Sequence, residues 1–179
     1  EINLLPADKK LELNLTGNQG KIMRESMDVA KTLAWNILPT RLRKIINQNW
    51  QQYGLHIHCP EGSVLKDGPS AGTAITTAII SRLVNVPIYN DIAITGEIDL
   101  SGNVLEIGGL DLKLHGAKKA GVTRVLISRQ NENDYINICN KYNKLIDDNF
   151  KVIIIDTIWD ALSYCLVVNT LDFENHIKT

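Results

Sequence analysis

Leu11, Leu13 and Leu15 alternate with polar residues, the two-residue period of a half-buried strand. After a glycine-bearing loop at 16–20 the period changes, because Val29, Ala30, Leu33, Ala34 and Ile37 share one helical face, which Pro39 ends. A second short helix is predicted over 41–49 and a strand over 55–59. Pro60, Glu61, Gly62 and Ser63 then open a loop that runs to Gly68 and Pro69. Ala71, Ala74, Ile75, Ala78 and Ile79 recur at helical spacing, which places Ser70 at the start of a buried helix. A short strand is predicted over 92–95, and a hairpin over 97–100 and 104–107 around Ser101, Gly102 and Asn103. Leu110, Leu114 and Ala117 mark a helix between the Gly108-Gly109 break and Gly121. Strands over 124–127 and 151–155, the second a continuous apolar run, alternate with helices over 131–142 and 157–167. The order is mixed, without a strict βαβ repeat, and predicts one compact α+β domain over 1–179.

Composition narrows the function classes. With 179 residues, 44% of them hydrophobic and 22% charged, the chain can bury a core without disulfide or metal staples. Nineteen basic against twenty acidic side chains leave a net charge of -1, which gives nucleic acid or an anionic membrane no electrostatic footing. No apolar run approaches the roughly 20 residues that span a bilayer, and the start lacks a charged-then-apolar secretory segment. A soluble protein in a reducing compartment is expected. Cys59, Cys139 and Cys165 are too widely spaced for a disulfide framework or a zinc knuckle, so no metal or cofactor is expected. His56 and His58 flank Ile57 at strand period, while His115 and His176 stand alone. None has a ligand's or a triad's company.

The densest chemical signal is the run Lys66-Asp67-Gly68-Pro69-Ser70-Ala71-Gly72. A glycine-punctuated turn presents a hydroxyl at a helix start, where backbone N–H groups can face an oxygen that gains negative charge. Either Ser70 caps its helix, or it is a nucleophile. A phosphate cradle fits less well: that pattern needs Lys and then Ser or Thr after its last glycine, whereas Lys66 precedes the glycines and Thr73 follows Gly72. A nucleophilic serine needs a base. Lys113 is the candidate, in the first turn of its helix between Leu112 and Leu114, where apolar neighbours and a helix N-terminus would disfavour the ammonium. Its alternative is a lysine that snorkels to solvent.

The serine loop, followed by Thr95-Gly96-Glu97-Ile98 and then Gly108-Gly109-Leu110 with Lys113, closely resembles the proteolytic domain of Lon, the ATP-dependent protease of bacteria and mitochondria. The likeness extends to Pro60-Glu61-Gly62 and to residues 17–26, and weakens after about Gln130. Lys113 stands 43 positions after Ser70, the separation of that family's Ser-Lys dyad. The resemblance implies a serine endopeptidase on the Lon protease fold. Ser70 would be the nucleophile, Lys113 the base, and Thr95 the residue that hydrogen-bonds the lysine amine. Asp67 and Glu61 would be supporting acids, and the amides of Gly68, Ser70 and Ala71 the oxyanion donors. Two departures stand out: Leu65 replaces an expected proline, and Asp111-Leu112 replaces a Lys-Glu pair, so that Asp111 would favour the ammonium if it lay close.

No Walker motif is found, so the family's ATPase and N-terminal domains, with ATP and Mg²⁺, are expected outside this chain. The resemblance further implies a hexameric ring that degrades misfolded, damaged and regulatory proteins. Its compartment would be the cytoplasm, or the mitochondrial matrix for a nuclear-encoded eukaryotic parent. The competing reading keeps the fold without catalysis, as a ring-forming or peptide-binding module.

Overall fold

The computed structural model describes residues 1–49 and 52–167. It begins with β1 (Ile2–Pro6), an element without a period-two signature because Leu4 and Leu5 are adjacent. β2 (Leu13–Thr16) starts later than the leucine alternation suggests, since Leu11 turns through a left-handed backbone with φ 54°. Both flank β3 (Tyr53–His58), β1 antiparallel and β2 parallel, in the order β1-β3-β2. A parallel neighbour requires a crossover. α1 (Lys21–Ile37) and α2 (Thr40–Asn49) supply it, and α1 buries Met23, Met27, Ala30, Leu33 and Ala34 along one face.

The second sheet has the order β4-β7-β8, from Ile92–Ile94, Arg124–Ser128 and Lys151–Ile155, all parallel. Its middle strand is buried on both faces. Leu126 joins the core shared with α1, α3 (Gly72–Val84) and α6 (Ile158–Cys165), while Val125 and Ile127 join a second cluster with Leu110, Leu114, Ile138 and Phe150. That two-sided burial explains the unbroken apolar runs in the sequence. α4 (Leu110–Lys119) and α5 (Glu132–Lys141) cover the second face.

The hairpin expected over 97–107 is real but short, β5 (Glu97–Ile98) against β6 (Val104–Leu105). Asp99 ends the first strand early by accepting the amides of Ser101 and Asn103, each at 2.9 Å. Buried Asn131 ends the second: its side chain accepts the Ile107 amide at 3.0 Å and donates to the Ile107 carbonyl at 2.9 Å.

Mixed helices and sheets thus form one compact domain, as the pattern predicts. No helix among the described residues is long and apolar enough to cross a membrane. The expected domain end at Thr179, with His176, lies outside the described residues.

Candidate active site

The C-terminal end of β4 organises the site. Thr95 and Gly96 follow it directly, and the Gly96 amide donates to the Ser70 carbonyl at 2.9 Å while Gly96 O accepts the Thr73 amide at 3.1 Å. A Cβ at Gly96 would lie 2.4 Å from Val104 Cγ1, so only glycine lets the serine turn sit this close to the hairpin. On the other side, Gly109 takes φ 67° and turns the chain into α4, whose first turn carries Lys113. Lys113 Nζ lies 3.3 Å from Ser70 Oγ and 3.2 Å from the Gly108 carbonyl.

Ser70 does not cap its helix. The N-cap of α3 is Ala71, with no side-chain capping bond, which leaves the hydroxyl free to face the amine. Thr95 differs from its expected role as well: its hydroxyl donates to the Ser70 carbonyl at 3.3 Å instead of meeting the lysine amine. It therefore holds the serine's backbone. The apolar surroundings expected of Lys113 are one-sided, because Leu114 is fully buried and Leu112 is 74% exposed. Successive helical residues point about 100° apart, so flanking leucines cannot both cover one lysine. Among the described residues Asp111 makes no ion pair with Lys113. Its charge acts on Lys141, whose ammonium is held above its ordinary value first by Tyr142 and to a smaller degree by Asp111.

The acidic candidates serve the backbone. Asp67 Oδ1 accepts the amides of Met23 at 3.0 Å and Gly68 at 2.8 Å, and these bonds, Met23 foremost, hold its carboxyl below the ordinary value of 3.8. α1 has only Gly20 at its N-cap, so Asp67 caps it from another loop, and a Cβ at Gly20 would lie 2.3 Å from the Asp67 carboxyl carbon. Glu61 contributes main chain, its left-handed φ of 62° presenting a carbonyl that accepts from Lys66 Nζ at 2.7 Å. Of the three amides assigned to an oxyanion, Gly68's is engaged by Asp67. No hydrogen bond engages those of Ser70 and Ala71 among the described residues.

A titration separates Asp67's charge from its shape. Its folded pKa is lowered, so its contribution is complete above the unfolded value and lost as pH falls through the folded one. Asp67→Asn keeps an acceptor without a charge. The melting-temperature gap between the native chain and this variant is expected to stay constant from neutral pH to about pH 5 and to narrow below the ordinary carboxylate range. A gap independent of pH down to acid unfolding would show that the charge is idle.

His56 and His58 both face the Thr16 hydroxyl, at 2.9 and 2.8 Å. No group of three or more metal-ligating side chains converges among the described residues. A cavity of about 820 Å³ lies over β1 and β2, lined by Leu5, Glu12, Leu13, Asn14 and Arg24 and by neither Ser70 nor Lys113. It offers no nucleophile paired with a base, so the chemistry points to the Ser70–Lys113 contact. Lys66, to which the sequence assigns no role, heads the serine loop with its ammonium on the carbonyls of Gly17, Glu61 and Val64.

Residues 1–168 match the family described as the Lon protease (S16) C-terminal proteolytic domain. Over 168 residues the chain is 39% identical to a Lon protease homolog of Acanthamoeba polyphaga mimivirus, covering 94% of this chain and 16% of that protein. A Lon protease of Fervidobacterium nodosum is 37% identical over 93% of this chain and 19% of its own length. One from Campylobacter jejuni is 41% identical over 88% and 21%. The chain spans about a fifth or less of the length of these curated relatives.

Proposed function

Since the chain belongs to the family of Lon protease (S16) C-terminal proteolytic domains, we propose that it is a serine endopeptidase whose reacting pair is Ser70 and Lys113. The observation that carries this reading is the 3.3 Å approach of Lys113 Nζ to Ser70 Oγ across 43 positions of chain. The neutral amine takes the hydroxyl proton as Ser70 Oγ attacks the scissile carbonyl, and returns it to the leaving nitrogen as the peptide bond breaks. Water then attacks the acyl ester, its proton passing to Lys113 and on to Ser70 as the enzyme is regenerated. The Gly108 carbonyl accepts an N–H of the same amine and aims its lone pair at the serine. The amides of Ser70 and Ala71, at the N-terminal end of α3, are placed to stabilise the oxyanion.

The substrates are unfolded or damaged proteins, and the parent is a hexameric ring of the cytoplasm or mitochondrial matrix. ATP and Mg²⁺ serve a separate module of that parent. In the serine loop of this chain the ammonium of Lys66 is committed to three carbonyls, which leaves it no N–H for a nucleotide phosphate.

A serine-directed phosphonate tests the reading and separates it from the silent ring-forming or peptide-binding module. The chain is expected to hydrolyse a fluorogenic peptide and to be labelled at Ser70, with loss of turnover matching the labelled fraction. Labelling at another residue, or none during active turnover, would overturn the assignment.

A further inference from the structure

Lys66 lies four positions before the serine and, among the described residues, pairs with no carboxylate. Its ammonium donates to three backbone carbonyls, those of Glu61 at 2.7 Å, Val64 at 3.1 Å and Gly17 at 3.3 Å. An ammonium has three N–H donors, so the set is complete and none is left for a substrate. The carbonyls come from two separate loops. One, 17–20, leads into α1; the other, 61–66, leads into the serine turn. The main chain of Lys66 joins the same two loops, its amide donating to Asn18 O at 3.0 Å and its carbonyl accepting from Gly20 N at 2.7 Å.

The geometry of Gly17 makes this anchor stiff. A Cβ there would lie 1.8 Å from Cys59 O, so its carbonyl is aimed by a backbone packed directly against β3's end. Downstream, the turn is fixed at the Ser70 carbonyl by Gly96 and Thr95. Between the two fixed points lies Gly68, at φ 96° with open space where a side chain would stand. Losing the ammonium leaves the main-chain bonds of Lys66 and the Asp67–Met23 bond in place but unties loop 61–66 from Gly17, so the shift reaches Ser70 Oγ through a turn whose pivot is Gly68.

We propose that Lys66 is a positioning residue for peptide hydrolysis: its three-point grip on the loop carbonyls keeps Ser70 Oγ within reach of Lys113 Nζ, while Lys66 touches no reacting atom. This rests on the Ser70–Lys113 reading above. The grip requires a compact ammonium. A guanidinium holds its donors in a planar fork and cannot converge on three carbonyls arranged around one point.

The test uses Lys66→Met, Lys66→Arg and Lys66→Ala with Ser70→Ala beside them, read by kcat and KM on a fluorogenic peptide, phosphonate labelling rate and thermal melting. Misplacing a reacting group by about 1 Å costs about 100-fold, so kcat is expected to fall by that order in Lys66→Met and Lys66→Arg, with labelling falling in parallel and KM within about threefold. Both variants should still melt cooperatively. In Lys66→Ala, added propylammonium replaces the missing atoms and is expected to raise kcat about tenfold, with no effect from 1-propanol. Near-native kcat in the methionine or arginine variant overturns the proposal, as does equal rescue by the alcohol. Loss of cooperative melting in all three variants also overturns it, in favour of a purely structural lysine. Continued hydrolysis by Ser70→Ala would instead sink the dyad reading itself, whereas an inert Ser70→Ala beside a fully active Lys66→Met sinks only this inference.

Discussion

Alanine at Ser70 is expected to lower kcat for a fluorogenic peptide by on the order of 10⁴-fold or more, because the covalent route is lost and only binding and oxyanion stabilisation remain. The fold should hardly notice. The hydroxyl caps no helix, its recorded partner is the Lys113 amine, and the turn's anchors are backbone groups: the Ser70 carbonyl held by Gly96 and Thr95. The same protein preparation must therefore show a near-native melt and almost no turnover. KM should stay close to native, since the substrate's main chain does not need the hydroxyl to bind. Residual hydrolysis above a few per cent, with contaminating proteases excluded by gel filtration of the activity, would mean that another residue attacks the peptide.

The pattern of apolar positions carries much of this fold because its information is local. The faces of α1 and α3 and the two-sided burial of β7 and β8 each leave a period, or a run, that can be read within one window of sequence. β1 leaves none, since its adjacent leucines and terminal proline hide a strand that exists by pairing with β3. The site divides in the same way. A serine in a glycine-rich turn and a lysine in the first turn of a helix can each be noticed, and resemblance pairs them. Their 3.3 Å approach depends on one long-range joint, the serine turn on Gly96, together with the left-handed angle at which Gly109 turns the chain into α4. The grip of Lys66 is not legible in the sequence because its partners are carbonyls, which every residue has, and the Gly17 carbonyl is 49 positions away. The partner of Thr95 is hidden for a related reason: a motif names the residue near the lysine, but only the packing of β4's end against the serine turn decides which oxygen its hydroxyl meets.

Lys113→Arg is expected to be as damaging as Lys113→Ala, and this comparison isolates proton transfer from charge. Arginine preserves the positive charge and most of the apolar stem, and it can still donate toward Ser70 Oγ and the Gly108 carbonyl, which lysine meets at 3.3 and 3.2 Å. A guanidinium cannot lose its proton at accessible pH, so it offers the serine no lone pair. If the amine works as a base, both variants lose the contribution of general base catalysis, about 10²- to 10⁴-fold in kcat. If the lysine merely supplies positive charge near the oxyanion, arginine should retain most of the activity and alanine little. Stability should not confuse the result, because the amine's acceptor on the Gly108 carbonyl is at an exposed position where water can replace it. Turnover by the arginine variant within about tenfold of native would remove Lys113 from the proton's path and leave it an electrostatic role. Equal loss in both, with phosphonate labelling of Ser70 slowed to match, is the outcome that a hydroxyl activated by an uncharged amine requires.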